Sequence, residues 1–166
     1  MTQHQSLAPA TDYETVRAAI AYLSETPAES VDLPQFARAL GMTERQLVEL
    51  FRRWCGLSPK SFAQAVALDH AKRLLAERAS VLDATYEVGL SSTSRLHDLF
   101  VAHEAMPPGV WRARGEGIEM VWGAAPSPFG TAVLTLTEYG LSGIGFADGA
   151  MTVDAAFEDL ANRWPR

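Results

Sequence analysis

Cysteine is almost missing from this chain of 166 residues: Cys55 stands alone. No intrachain disulfide can form, which fits a reducing compartment, and no cysteine cage for zinc can be built. Histidine does not make up the shortfall, because His4, His70, His97 and His103 have no ligand-like spacing. No metal or other cofactor is therefore expected. Long apolar runs are absent too; none approaches the roughly 18 residues that a membrane span needs. The opening MTQHQSLAPAT has neither a basic start nor an apolar stretch, so a signal peptide is not expected. A surplus of positive charge is also lacking. Fourteen basic side chains face 20 acidic ones, for a net charge of −6. Low-complexity segments are absent as well.

What is present is enough for a packed core, with 48% hydrophobic and 20% charged residues. The length suits one domain or two small ones. The charge is unevenly spread. Residues 1–37 hold one arginine and five acids, residues 38–114 eleven basic residues and eight acids, and residues 116–166 two arginines and seven acids. A mildly basic middle thus lies between acidic ends, and for nucleic-acid binding the distribution matters more than the sum.

Apolar spacing and turn residues divide the chain into elements. Val16, Ile20 and Leu23 mark a helix over Asp12–Ser24, capped by Thr11 or Asp12. A second helix starts after Ser30 or Asp32, takes Pro34 in its first turn and stops at Gly41. Thr43 caps a third, reaching about Trp54. A turn at Gly56-Leu57-Ser58-Pro59 leads to a long Ala-rich helix, Ser61–Ala79. Ser80 caps a short helix ending at Gly89, and Ser91 or Ser92 caps another to about Glu104. Pro107-Pro108 breaks the chain before a short helix near Trp111. Beyond Gly115 the texture changes to strands: IEMVW, TAVLTLTEY and GLSGIGF, with Leu134/Leu136 alternating against Thr135/Thr137 and Gly140 at a hairpin. MTVDAAFEDLANRW then reads as a helix with Val153, Phe157, Leu160 and Trp164 on one face. The expected fold is mainly α with a small α+β tail. The expected divisions are a loose tail at 1–11, a helical domain at 12–115 and a β-β-β-α segment at 116–166.

One arrangement occurs twice. GMTERQLVELF at 41–51 and GLSSTSRLHDLF at 89–100 share a glycine, a turn and a helix with an apolar stripe, their glycines 48 positions apart. Each is preceded by a short helix. This is the pattern of two helix-turn-helix units, in which a support helix turns at glycine and holds a second helix toward the major groove. A small residue is needed four positions before the glycine, where the helices touch; Ala37 supplies it once, and Thr85, beside Ala84, stands there the second time. Two units on one chain, with the Ser61–Ala79 helix as spacer, can read successive groove segments roughly 34 Å apart.

The combination resembles the DNA-binding part of AraC-type transcription regulators over about residues 12–114. The resemblance is carried by Ala39-Leu40-Gly41-Met42-Thr43, Leu47, Phe51, Gly56-Leu57-Ser58-Pro59, Phe62, Leu68, Ala71, Leu74-Leu75, Val88-Gly89, Ser94, Leu96, Phe100, Met106-Pro107-Pro108 and Trp111-Arg112. The chain departs from that pattern at Leu90, where phenylalanine is frequent, at Glu104-Ala105, where an aromatic and glycine are usual, and at Glu49 and Asp98, where basic residues are common. The resemblance implies double-stranded DNA as partner, with RNA polymerase a further candidate, and a bacterial cytoplasmic, nucleoid-associated protein. It implies no membrane and no small-molecule ligand.

On the first reading helix the base-edge candidates are Thr43, Arg45, Gln46 and Glu49; arginine pairs with guanine, glutamine with adenine, and glutamate accepts from cytosine. Arg52, Arg53 and Lys60 are phosphate candidates. On the second, Ser92, Thr93, Ser94, Arg95, His97 and Asp98 form the polar face, with Arg112 on phosphate beyond the turn. Each also has a plainer reading: the hydroxyl cluster as a helix cap, Arg52-Arg53 as a solvated face, His97 as a surface residue. Leu47, Phe51, Trp54 and Phe100 are expected in the core.

The tail resembles the start of methylated-DNA–protein-cysteine methyltransferases, through the turn at Ser127–Gly130, the strand pair around Gly140 and Gly145-Phe146-Ala147-Asp148. An AraC-type unit before that fold is the layout of Ada-type alkylation-response proteins. The acceptor cysteine of those enzymes sits in a Pro-Cys-His-Arg motif, expected beyond residue 166, and the cysteine-rich zinc segment of some of them is absent. Cys55, between Trp54 and Gly56, reads as a small buried residue. No catalytic residue is expected in this chain. Its expected function is a DNA-binding transcription regulator of an alkylation response; the alternative is the N-terminal part of a bifunctional regulator and alkyltransferase.

Overall fold

The computed structural model describes residues 11–162. Helices α1 (Asp12–Glu25), α2 (Leu33–Ala39), α3 (Glu44–Cys55) and α4 (Pro59–Ala76) are followed by α5 (Val81–Glu87), α6 (Thr93–Glu104) and α7 (Pro108–Arg112). Strands β1 (Val121–Ser127), β2 (Gly130–Thr137) and β3 (Gly140–Ala147) form one antiparallel sheet in the order β1-β2-β3, and α8 (Val153–Asn162) ends the described chain. The expected class, helical with a small three-stranded sheet and helix, is the observed one. Two compact units part inside α4: one runs to Asp69, the other starts at His70. His4 and Trp164, given roles above, lie outside the described residues.

In the first unit, the ends of the helices are set by side chains. Thr11 and Thr43 each accept from the backbone N–H three residues on, while Glu14 and Gln46 reach back to the cap N–H. These are capping boxes. Asp32 caps α2 by accepting from Gln35 N–H at 2.8 Å. Ala19, Leu23, Ala37, Leu47, Phe51 and Ala63 form the core of this unit, with Phe62 edge-on to Phe51 at 5.5 Å. Trp54 does not join them. It remains 51% exposed at the end of α3 and meets Tyr13 with ring centroids 6.4 Å apart. The expectation that it is core is corrected: Phe51 and Phe62 fill the core, and Gly56 ends the helix within one turn of Trp54.

The repeated glycine makes the same turn in both units. Gly41 has φ +72° and Gly89 φ +74°. Gly41 N–H donates to Arg38 O and Met42 N–H to Ala37 O; Gly89 N–H donates to Tyr86 O and Leu90 N–H to Thr85 O, all at 3.0 Å. This pair of bonds closes a helix whose next residue is left-handed. Ala37 and Thr85 are both fully buried. Thr85 is tolerated where alanine stands in the first unit because its hydroxyl donates to Val81 O at 2.7 Å.

Boundaries elsewhere moved for local reasons. Helix α4 starts at Pro59 because proline suits a first turn and Ser58 Oγ accepts from Ser61 N–H at 3.1 Å. It stops at Ala76, and Arg78 then takes φ +75°. Strand β1 begins at Val121, so Ile118, Glu119 and Met120 are not in it; Gly115 and Gly117, at φ +81° and +82°, hold the chain in turns just before.

The sheet reverses the expected faces. Val133 and Thr135 are fully buried, whereas Leu136 is 38% exposed. Helix α8 covers the Val133 side with Ala156 and Leu160. Leu160 fits a hollow left by two glycines: a β-carbon on Gly143 would lie 3.1 Å from its Cδ2 and 2.7 Å from Thr135 Oγ1, and one on Gly145 3.5 Å from its Cδ1. Thr135 can be buried because its hydroxyl accepts from Ser142 Oγ at 3.1 Å. Leu136, Leu141, Ile144 and Phe146 are left exposed.

Gly41→Ala is expected to cost about 1–2 kcal/mol through left-handed strain, since a β-carbon there meets nothing within 4 Å. An unchanged urea midpoint would contradict this. Gly143→Val is expected to destabilise the second unit by about 1–3 kcal/mol through overpacking. Gly123→Val, where a β-carbon meets nothing, serves as the neutral control in the same melts.

Candidate nucleic-acid interface

Helix α3 buries Leu47, Leu50 and Phe51. At 100° per residue, that stripe turns Arg45, Glu49 and Arg52 to the opposite side, with Gln46 and Arg53 flanking. All five are exposed. Helix α6 repeats the geometry: Leu96, Leu99 and Phe100 are buried, while Thr93, Ser94, Arg95, His97 and Asp98 are exposed. Each reading-helix candidate beyond the caps therefore lies on the solvent side of its own helix.

Several of them already have work within the fold. Thr43 is the N-cap of α3, and its hydroxyl donates to Gln46 Oε1 at 2.9 Å. That same oxygen also takes Thr43 N–H at 2.9 Å, so the carboxamide oxygen of Gln46 is engaged. Its NH2 group is the end left to face a base. Ser92 is the cap of α6, accepting from Arg95 N–H at 3.4 Å, and is half-buried. Its plainer reading as a cap is thus part of the fold.

Charge on the α3 face is paired internally. Arg45 Nε donates to Glu49 Oε1 at 2.8 Å, with side chains 86% and 61% exposed. The bond to Glu49 raises the guanidinium pKa above its ordinary value. An exposed pair of this kind adds little to stability, but it orients Arg45 and cancels charge on the very face that would meet phosphate. Arg53 is held by Asp12 at the start of α1, which draws it away from a role on phosphate. Arg52 and Lys60 remain exposed. On α6, His97 Nδ1 and Asp98 Oδ1 are 3.9 Å apart. Arg112 lies on α7, not on a reading helix, and lines a cleft together with Arg78 and Arg114. Those two arginines were missed in the sequence because neither sits on a reading helix; the signal for Arg78 was its place just after the last apolar residue of α4.

Cys55 is half-buried against the core of the first unit, and desolvation raises its thiol pKa. A thiol shifted this way has little thiolate at neutral pH and is a poor nucleophile. No group of metal-ligating side chains occurs among the described residues, and no helix among them is long and apolar enough to cross a membrane.

Residues 36–114 match the family model described as a helix-turn-helix domain. Over 83 residues the chain is 26% identical to the uncharacterized HTH-type transcriptional regulator YbfI of Bacillus subtilis (strain 168), covering 50% of this chain and 30% of that protein. The chain thus spans about three tenths of the length of this curated relative. Among solved structures, an AraC-type transcriptional regulator from Chromobacterium violaceum matches 63% of this chain and 95% of its own, with a TM-score of 0.55 and 22% identity. The DNA-binding domain of AdpA, a global transcriptional factor solved in complex with a target DNA, matches 64% of this chain and 92% of its own, with a TM-score of 0.51 and 25% identity. A probable AraC family transcriptional regulator from Rhodopseudomonas palustris CGA009 matches 61% and 97%, with a TM-score of 0.54 and 23% identity.

Glu49→Gln is expected to tighten duplex DNA binding by roughly threefold to tenfold at low salt, because it frees Arg45 and removes a charge facing phosphate. The gain should shrink as salt rises. The titration uses random-sequence duplex, so that loss of a base contact by Glu49 at a specific site does not mask the gain; unchanged or weaker binding there would contradict this.

Proposed function

We propose that this chain, whose residues 36–114 match a helix-turn-helix domain model, is a sequence-specific DNA-binding transcription regulator of the AraC type. Helices α3 and α6 each enter one major-groove segment. The observation that carries this reading is the duplicated turn, with its two left-handed glycines and two buried small residues, each ahead of a helix whose polar face is exposed. Arg45, Gln46 and Glu49 read bases from α3; Thr93, Ser94, Arg95, His97 and Asp98 read them from α6. Thr43 and Ser92 act chiefly as caps that aim those helices. Arg52 and Lys60 hold phosphate. Acids among the readers favour cytosine, whose N4 amino group they accept from, and lower the unspecific affinity that phosphate contacts alone provide. Location at the bacterial nucleoid and contact with RNA polymerase follow from this role.

A second reading has one specific support. Residues 121–162 are built as β-β-β-α, with two-residue turns between Ser127 and Gly130 and between Thr137 and Gly140. Those are the turns on which the resemblance to methylated-DNA–protein-cysteine methyltransferases rests. In this reading the chain is the N-terminal part of an Ada-type regulator and alkyltransferase, serving an alkylation response. The chain itself then regulates without transferring alkyl groups, since Cys55 is poorly suited as acceptor. The gene product isolated from cells would be incubated with duplex containing O6-methylguanine. Gain of one methyl mass on a cysteine outside residues 1–166 is expected; no gain would remove this reading.

Enrichment of random duplex DNA tests the main reading, with the purified chain beside an Arg45→Ala, Arg95→Ala double variant. The expected motif has two halves about 10 base pairs apart, both degraded in the variant. Each lost arginine–guanine pair is expected to cost about 1–3 kcal/mol of discrimination. Failure to enrich any motif would overturn the reading.

A further inference from the structure

A cleft of about 900 Å³ lies at the ends of α4 and α7, lined by Leu75, Arg78, Trp111, Arg112 and Arg114 among others. That size is usual for a small-molecule site. Three arginines are among its lining residues and no acidic residue is. Neither Arg78 nor Arg112 is held by an acid among the described residues, and both are exposed.

Two of the arginines occupy positions where glycine is the ordinary choice. Arg78 has φ +75° and Arg114 φ +60°. Both helices end in the same way. Arg78 N–H donates to Leu75 O at 3.2 Å and Ala79 N–H to Leu74 O at 3.0 Å; Arg114 N–H donates to Trp111 O and Gly115 N–H to Val110 O, both at 2.9 Å. A left-handed residue with a β-carbon is strained there, and glycine would close either turn without that strain. The carbonyl end of a helix attracts a cation, yet a basic residue in the last turn gives that benefit with ordinary backbone angles. Arginine at both strained positions, on one cleft, indicates that the side chains are used.

The remaining wall is apolar and firmly placed. Trp111 is half-buried, with its ring centroid 6.1 Å from that of Phe100. The Lys72 ammonium lies 4.4 Å from the indole centroid and is held at 2.9 Å by Glu104. Lys72 is therefore engaged and its charge compensated, whereas Arg78 and Arg112 have no such partner among the described residues.

We infer that this cleft binds a small organic anion. Its carboxylate or phosphate is held by Arg78 and Arg112, with Arg114 beside them, and its apolar body rests on Trp111. Charge-assisted and bidentate bonds make guanidinium groups the fitting receptor for such oxyanions. None of these residues lies on α3 or α6, and the inference stands whether or not those helices read DNA.

The test uses the full chain and benzoate as probe, followed by NMR on the Trp111 indole N–H, assigned with Trp111→Phe. Benzamide is the neutral match of benzoate. Benzoate is expected to shift the Trp111 signal saturably, and benzamide to bind at least about tenfold more weakly. Inorganic phosphate is expected to compete. Arg78→Gly with Arg112→Ala should lower benzoate affinity by about tenfold or more. The glycine relieves strain, so the melting temperature of that variant should not fall on its account. No shift with benzoate, an equal shift with benzamide, or full affinity in the double variant would each overturn the inference. Displacement of benzoate by duplex DNA would overturn it too, since the anion would then be backbone phosphate. Enrichment of a DNA motif is measured separately, so failure of one reading is not mistaken for failure of the other.

Discussion

A single hydrogen bond, made twice, governs where helices α3 and α6 point. Met42 N–H reaches back to Ala37 O, and Leu90 N–H to Thr85 O. The bond closes because the intervening residue turns left-handed, which glycine does without strain, and the next helix packs over the turn because the residue bearing the carbonyl is small and buried. Everything distal follows. The caps at Thr43 and Ser92 begin their helices two and three residues after the glycine. The apolar stripe then has one possible orientation, and the polar residues are left facing water. Rigid aiming of a helix by a short turn is what a groove reader requires.

Charge is managed locally, not by the total. A net of −6 coexists with an α3 face carrying Arg45 and Arg52, but Glu49 sits between them and pairs with Arg45. Such a face has less general attraction for phosphate and depends more on the match of donors to bases. On the second unit, Arg78 and Arg112 carry charge with no acid partner among the described residues, at the cleft by α7. Positive charge on this chain is therefore apportioned to two surfaces of different shape, one convex and one concave.

Much of this was legible in the sequence because the signals were local. A cap residue ahead of an apolar stripe, a glycine after one, and proline in a first turn each act within a few bonds. They located Thr43, Gly41 and Gly89, and narrowed the other two caps to pairs from which the structure takes Asp32 and Ser92. What escaped depended on partners distant in sequence. Trp54 has the spacing of a core residue, yet Phe62, on another helix, had already filled the space. Thr135 looks like a solvent-side threonine until Ser142 supplies its hydrogen bond and Gly143 makes room for Leu160. The Arg45–Glu49 pair is visible as an i, i+4 spacing, but its cost to the interface depends on which face it occupies. The left-handed Arg78 and Arg114 were hidden because a turn normally announced by glycine was made with arginine.

The β segment is also not a free appendage. Thr137 Oγ1 donates to Ala105 O, the carbonyl of the residue that ends α6 in a left-handed turn. Residues 70–162 fall within one compact unit. A carbonyl at a helix end that is claimed by a strand ties the fraying of that helix to the melting of the sheet. Heat, or a lesion in the sheet core, is thereby transmitted to α6 as a loss of order, so damage far from its exposed polar face reaches that face through cooperativity alone.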